Sequence, residues 1–167
     1  MTTSHAVSGI TDPMELRKAF GQFATGVTVI TAGGQGTRRA GITANSLTSV
    51  SLDPPMLLFC LANKAPSYDT FTESEYFAVH VLGAEQQVLS QRFSRPAEDK
   101  FAGLAVDEGP DGVPLIEGCL ARFVCSRENS YMEGDHTIFV GRVRAFERRD
   151  DEPLLFHSGA YRFAAPM

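Results

Sequence analysis

Short runs of β-branched and apolar residues, separated by turn residues, recur along most of this chain and restrict its fold more than any other feature. Helical spacing of apolar residues is confined to a few short segments. Many short strands with few helices indicate a mainly β fold, a closed β-barrel, instead of a doubly wound parallel sheet. Strands are predicted at residues 27–32, 39–44, 56–61, 77–82, 119–128, 137–147 and 161–164.

Two of these strands are predicted to pair as a hairpin. Strands 27–32 and 39–44 flank the sequence GGQG, which can turn the chain back on itself. This glycine segment lacks the GxGxxG spacing of dinucleotide-binding loops and does not open a helix, so a turn is favoured over a nucleotide motif.

The run 56–61 contains only apolar residues, which predicts a strand buried on both faces.

A first helix is predicted to begin at Pro13. Asp12 can act as its N-cap, Pro13 fits the first helical position, and Glu15 lies near the positive end of the helix dipole. A second short helix is predicted at residues 67–74.

A third helix is predicted at residues 84–93, with Val88 and Leu89 facing the core. The polar segment 94–100 that follows contains Pro96, and we expect it to be a surface loop.

The length of 167 residues is that of one domain, which we place at residues 13–167. Residues 1–12 are expected to be disordered. They lack the positive and apolar regions of a secretory signal, and no segment approaches the ~20 apolar residues of a membrane span. We therefore expect a soluble, cytoplasmic protein without membrane contact.

The charge balance argues against nucleic acid as a partner. Lys and Arg total 15 against 20 Asp and Glu, which gives a net charge of -5. The longest basic clusters are the pairs Arg38-Arg39 and Arg148-Arg149. Nucleic-acid binding usually requires a larger basic surface.

The cysteines and histidines give no sign of a disulfide framework or a metal site. Cys60, Cys119 and Cys125 make an odd count without a CxxC motif. Cys119 and Cys125 are predicted on one face of a single strand, where ~20 Å separates them, beyond the ~7 Å limit for a disulfide. The four histidines show no metal-ligand spacing.

The segment 41–55, GITANSLTSVSLDPP, has the composition of a ligand-binding loop. Its side-chain hydrogen-bonding groups are enough to contact a ring edge and a phosphate without a metal. The alternative is an ordinary polar loop between strands. The groups in question belong to Thr43, Asn45, Ser46, Thr48, Ser49 and Ser51.

Together with the preceding FATGVTVIT (23–31), this segment resembles the flavin reductase-like family, whose fold is an FMN-binding split β-barrel. The resemblance covers about residues 13–163. Its later motifs follow in order: LLFCLANKAPS (57–67), FAVHVLGAEQQVLSQRF (77–93), KFAG (100–103), GVPLIEG (112–118), EGDHTIFVGRV (133–143) and PLLFHSGAYR (153–162).

The resemblance implies a set of flavin contacts. Lys64 and Ser67 would complete a phosphate site, although Ala65 and Pro66 interrupt the run of hydroxyl residues that relatives often carry there. Phe93 is a candidate aromatic wall or, alternatively, a core residue. The remaining flavin contacts would be Thr43, Ala44, Asn45 and Ser46 at the ring edge and ribityl chain, Ser49 or Ser51 near the phosphate, and Cys60, Leu61 and Ala62 on the facing strand end.

The resemblance also implies a nicotinamide side. The GDH triplet holds His136, which would bind the nicotinamide carboxamide and place its C4 over the flavin N5; Asp135 precedes it. The alternative is a β-turn whose histidine is incidental. The further candidates around the dinucleotide are Phe20, Gly21, Gln22, Tyr161 and Arg162.

The implied function is an NAD(P)H-dependent flavin oxidoreductase. It would reduce FMN or FAD with NADH, or with NADPH, and supply diffusible reduced flavin to a separate flavin-dependent monooxygenase. Proteins of this kind are typically homodimers. Two alternatives stay open: a flavoprotein with fixed FMN that passes electrons to another acceptor, and a non-catalytic flavin-binding module.

Overall fold

The computed structural model describes residue 9 and residues 12–164. Our expectation of disorder over residues 1–12 falls outside this part of the chain, except at Gly9 and Asp12. Three α-helices are present in the described part: α1 (Pro13–Phe20), α2 (Tyr68–Glu73) and α3 (Gln87–Ser94). Its strands are β1 (Thr25–Gly26), β2 (Thr28–Ala32), β3 (Ala40–Ala44), β4 (Thr48–Leu52), β5 (Pro55–Ala62), β6 (Tyr76–Val81), β7 (Val106–Glu108), β8 (Pro114–Ile116), β9 (Ala121–Glu133), β10 (His136–Arg148), β11 (Leu154–His157) and β12 (Ala160–Phe163).

The main sheet is an antiparallel barrel that stays open. Its strand order is β3-β2-β6-β9-β10-β5-β4, so the consecutive strands β3 and β4 lie at opposite edges. The prediction of a mainly β split barrel is confirmed, whereas the prediction of a closed barrel is wrong. The two edge strands do not pair with each other, and the link 45–47 that joins them bonds to β5 through the Ser46 side chain instead of through a strand backbone.

Aromatic side chains fill the barrel interior. Phe59 stacks on Phe139 with ring centroids 5.1 Å apart and meets Phe77 and Phe71 edge-on. Burial alternates along β5, which presents Leu57, Phe59 and Leu61 to the core. The prediction that this strand is buried on both faces is wrong, because the side chains on its outer face, Leu58, Cys60 and Ala62, are only half-buried.

The hairpin of β2 and β3 is confirmed, with Thr28 opposite Ala44. Helix α1 is also confirmed, since the Met14 N–H donates to Asp12 Oδ1 at 2.8 Å. A three-stranded sheet, β1-β11-β12, lies next to the end of this helix.

Helix α3 is rotated relative to our prediction. Val88 is 76% exposed, so its predicted core position is wrong, whereas Leu89 packs against a hydrophobic cluster. The buried residues are Ser90 and Phe93. Phe93 sets this rotation, because its ring fills the space left by the missing side chain of Gly41.

The long strands β9 and β10 extend beyond the predicted segments. Strand β9 begins only at Ala121, so Cys119 precedes it, and the prediction that Cys119 shares a strand face with Cys125 is wrong. Cys60, Cys119 and Cys125 are free thiols. The β9–β10 hairpin turns at Gly134, which has a left-handed φ of 62°.

Candidate functional site

An open cleft of about 450 Å³ lies between the end of α1 and the link from β3 to β4. Two phenylalanine rings border it, and both are largely exposed: Phe20 at 71% and Phe23 at 78%. The cleft therefore offers flat apolar surface beside polar groups, as a planar heteroaromatic ligand requires. Its lining residues are Ala19, Phe20, Phe23, Thr25, Asn45, Ser46, Leu47 and Thr48.

The end of α1 is anchored to the β11–β12 turn. The Ser158 N–H donates to the Gly21 carbonyl at 2.8 Å, and Gln22 Nε2 donates to Ser158 Oγ at 3.1 Å. These bonds fix the approach of Phe20 to the cleft. Gly21 and Gln22 thus hold the wall of the cleft, although neither lines it.

Thr25 is a polar group in this cleft that has no partner. Its Oγ1 is buried and makes no hydrogen bond within the described residues. A buried hydroxyl without a partner is costly unless a ligand or water satisfies it. A flavin bound in the cleft would supply such a partner, because its ring carries polar atoms along one edge. Sequence reasoning missed Thr25, although it stands in the FATGV motif, because its burial is not visible in sequence.

Within the 43–46 segment, Asn45 and Ser46 line the cleft, whereas Thr43 and Ala44 do not. Asn45 is exposed, while the hydroxyl of Ser46 accepts the Cys60 N–H at 2.9 Å. Thr43 Oγ1 donates to the Ser90 carbonyl at 2.6 Å, which holds β3 to α3. Ala44 uses its carbonyl to accept the hydroxyl of Thr28, within the β2–β3 hairpin.

Three candidates, Phe93, Leu61 and Tyr161, do not line the cleft. Phe93 is 1% exposed and meets Phe101 edge-on, so the core interpretation is correct and the aromatic-wall interpretation is wrong. Leu61 points into the barrel interior. Tyr161 is half-buried, with its hydroxyl 2.8 Å from Ser90 Oγ.

The GDH triplet forms the β9–β10 turn and pairs two titratable side chains. His136 Nδ1 lies 2.7 Å from Asp135 Oδ1, and the histidine side chain is 48% exposed. The hydrogen bond from His136 is the main cause that lowers the pKa of Asp135. In the tautomer whose Nδ1–H donates this hydrogen bond to the carboxylate, Nε2 of the His136 ring is free to accept a hydrogen bond.

Strand register relates the position of His136 to that of Ser46 in the 43–46 segment. His136 pairs with Ala62, and Ile138 pairs with Cys60, whose N–H is bound by Ser46. Ser46 and His136 thus lie two strand spacings apart across the sheet and two residues apart along β5, a separation of roughly 12 Å. Burial is the main cause that raises the pKa of the Cys60 thiol between them, so it is a neutral surface there.

The turn after β5 carries an available cation. Lys64 is exposed and forms no ion pair or hydrogen bond with any described residue. Ser67 occupies the N-cap position of α2, but its hydroxyl makes no capping bond. Both groups are therefore free to contact a phosphate.

The register separates the two groups of predicted phosphate contacts. Ser49 pairs with Leu57 and Ser51 with Met56, at the start of β5, whereas Lys64 follows its end. The six residue-to-residue steps from Met56 to Ala62 span ~20 Å, so Ser49 or Ser51 cannot share one phosphate with Lys64. Since Lys64 supplies the positive charge, the Lys64–Ser67 turn is the better candidate.

Lys100 is a further residue that sequence reasoning did not single out. Its Nζ donates to the Gly41 carbonyl at 3.1 Å and to the Phe93 carbonyl at 3.0 Å. Burial lowers the pKa of this amine. Lys100 thereby fastens the end of α3 to β3, the strand that leads into the cleft.

Two negative findings apply to the part of the chain that the structure describes. None of its helices has the length and apolar character needed to cross a membrane. Nor do three or more His, Cys, Asp or Glu side chains gather there as metal ligands would.

Comparison with known proteins agrees with this geometry. Residues 20–165 match the flavin reductase like domain family. A probable flavin reductase from Rhizobium meliloti is 47% identical over 90% of this chain, which spans only 48% of that relative's length. The reductase subunit of a flavin-dependent monooxygenase from Rhodococcus jostii is 41% identical over 90% of this chain and 77% of its own.

A solved structure extends the similarity to the whole fold. The NADH:FAD oxidoreductase of Streptomyces globisporus, solved in complex with NAD and FAD fragments, superposes with a TM-score of 0.90 at 40% identity. The match covers 97% of this chain and 98% of that one. The family match spans far more than half of the sequence, and this chain therefore belongs to the flavin reductase-like domain family.

Proposed function

We propose that this protein is an NAD(P)H-dependent flavin reductase that reduces FMN or FAD and releases the reduced flavin to a separate flavin-dependent monooxygenase. One observation carries the proposal: an open cleft has exposed aromatic rings and an unpartnered Thr25 hydroxyl, and strand register sets its lining residue Ser46 roughly 12 Å from His136, which pairs with Asp135. The names of the similar proteins from Streptomyces globisporus and Rhodococcus jostii support the activity and the oxygenase partner, respectively.

The flavin would bind along the outer end of β5. A bound flavin accepts a hydride at N5 from C4 of the reduced nicotinamide. Asn45 and Thr25 would contact its polar edge, Cys60 and Ala62 would lie beneath it as a neutral surface, and Lys64 would pair with the phosphate.

His136 would orient the nicotinamide. Its Nε2, left as an acceptor by the bond to Asp135, suits the carboxamide N–H of that ring. This bond restrains the ring's rotation, which is what a near-attack geometry requires. Phe20, anchored through Gly21, would cover the dinucleotide from the other side of the cleft.

We also propose a cytoplasmic homodimer that uses the outer face of β5 and β10. Toward the start of β5, away from the proposed flavin position, apolar side chains on this face are only half-buried in the single chain, where Leu58 lies opposite Val140. Light scattering should give twice the chain mass, and Leu58→Arg should give the monomer. A monomeric parent protein would contradict this assembly.

Aerobic oxidation of NADH and NADPH, each with FMN, FAD or no flavin, tests the activity. The proposal expects turnover only when flavin is added, and flavin that passes an ultrafiltration membrane. Flavin that stays on the protein would point to a fixed prosthetic group. Binding without turnover would point to a non-catalytic module, and either result would contradict the proposal.

A further inference from the structure

A buried threonine joins the two candidate halves of the site. Thr137 is 2% exposed and follows His136 directly in β10. Its Oγ1 donates to Asn63 Oδ1 at 2.7 Å and lies 2.9 Å from the hydroxyl of Tyr68. Asn63 and Tyr68 are the residues on either side of the Lys64–Ser67 turn. One hydroxyl therefore holds both ends of that turn.

The donor and the acceptor of each hydrogen bond in this network can be assigned. A threonine hydroxyl has a single proton, and Thr137 gives it to Asn63, so Tyr68 must be the donor to Thr137. With Oδ1 used as acceptor, the Asn63 amide directs Nδ2 at the Gly134 carbonyl, 3.3 Å away. The Asn63 N–H adds a bond to the Asp135 carbonyl at 2.9 Å. The turn after β5 and the GDH turn are thus tied together.

Lys64 and Ser67 take no part in this network. Neither side chain makes a hydrogen bond or an ion pair with a described residue, and the Asp135 carboxylate attracts Lys64 only from a longer distance. The backbone of the turn has its own short bonds, from the Ala65 N–H to the Ala62 carbonyl and from the Tyr68 N–H to the Ala65 carbonyl. These make the turn compact, but they do not attach it to β10.

We infer that Thr137 is a positioning residue for the phosphate group of the flavin. Its hydroxyl, through Asn63 and Tyr68, clamps the Lys64–Ser67 turn against the GDH hairpin and so fixes the phosphate contacts relative to His136. The inference rests on the proposed function, because it takes a flavin nucleotide as the ligand. It concerns the phosphate alone, so it distinguishes FMN from riboflavin, which has the same ring and no phosphate.

Titration of flavin fluorescence with FMN and with riboflavin tests the inference. The parent protein should prefer FMN. Thr137→Val, which keeps the shape and removes the hydroxyl, should weaken FMN binding about tenfold and leave riboflavin binding unchanged. Thr137→Ser should keep the parent's preference. Lys64→Ala should show the same selective loss, and adding Thr137→Val to it should cause little further loss.

Three results would overturn the inference. Equal losses for FMN and riboflavin in Thr137→Val would mean a general structural role. An unchanged FMN affinity in that variant, beside a loss in Lys64→Ala, would reject the clamp and leave the flavin site intact. A parent protein that binds both ligands equally would reject the phosphate turn itself, while flavin-dependent NADH oxidation would still decide the proposed function. If Thr137→Val does not fold, Tyr68→Phe repeats the comparison.

Discussion

The hydroxyl of Ser46 accepts the backbone N–H of Cys60 at 2.9 Å. Cys60 lies two residues beyond Leu58, the last residue of β5 that pairs with β4. A side chain thus takes the place of a strand at the opening of the barrel. Cys60 would otherwise leave its N–H unpaired at the edge of the cleft. The bond links the segment that lines the cleft to the strand proposed to lie beneath the flavin.

Ser46→Ala should lower the free energy of unfolding by about 1 kcal/mol, because it leaves the Cys60 N–H without its partner. Ser49→Ala is the matched control, since Ser49 is exposed and its hydroxyl makes no hydrogen bond to another described residue. Urea unfolding of the two variants measures the difference. Equal stability of both variants would show that the Ser46 bond contributes nothing.

Gly41→Ala should destabilise the protein by about 1 to 3 kcal/mol. The new methyl group would overlap the ring of Phe93, which is buried and cannot swing aside. Gly26→Ala is the control, because nothing lies within 4 Å of a Cβ at that position. A melting temperature for Gly41→Ala as high as that of the control would contradict the close contact between β3 and α3.

His80 should make the stability depend on pH. It is fully buried between the Val29 carbonyl and the Ile116 N–H, each at 3.0 Å, and burial lowers its pKa from 6.5 to about 4. Between pH 6.5 and about pH 4, His80 is therefore protonated in the unfolded chain but not in the folded protein, and the free energy of unfolding decreases as the pH falls. From pH 7 to pH 5 the loss from this group should be about 2 kcal/mol.

Urea unfolding at both pH values, in the parent protein and in His80→Gln, isolates this contribution. Glutamine cannot titrate, so the variant should lose less stability on acidification, although it starts from a lower value. The same loss in both proteins would assign the pH dependence to other groups.

Phe20→Ala should raise the KM for NADH about threefold to tenfold and leave kcat nearly unchanged. The reason is that the exposed ring would bind NADH equally well in the ground state and in the transition state of hydride transfer. Val88→Ala is the control, since Val88 is an exposed apolar residue of α3 that does not line the cleft. Steady-state kinetics at saturating flavin measure both. A fall in kcat alone would contradict the role of Phe20 in binding.

Features that depend on neighbouring residues could be predicted from the sequence. The cap of α1 at Asp12 and the β2–β3 hairpin around GGQG follow from local chemistry, and the structure confirms both. The pairing of His136 with Asp135 likewise lies within one turn. The rotation of α3 was predicted wrongly because it depends on Gly41, which is distant in sequence and leaves room for Phe93.

Most features of the site that could not be predicted from the sequence depend on strand register, which is the pairing of residues between neighbouring strands. A list of polar residues along β4 and β5 does not say that Ser51 and Lys64 lie at opposite ends of one strand. Thr137 stands in an apolar strand pattern, and its bond to Asn63 exists only because β10 pairs with β5. The open barrel could not be predicted for a similar reason, since it depends on whether the edge strands β3 and β4 pair with each other.

Anaerobic mixing of the protein with flavin and NADH, followed through loss of the oxidised flavin absorbance, tests the central claim most directly. The account predicts rapid flavin reduction by the parent protein, a primary isotope effect with NADH deuterated at C4, and a rate about 10- to 100-fold lower in His136→Ala. Flavin that binds but is reduced no faster than without protein, or a His136→Ala variant as fast as the parent, would contradict it.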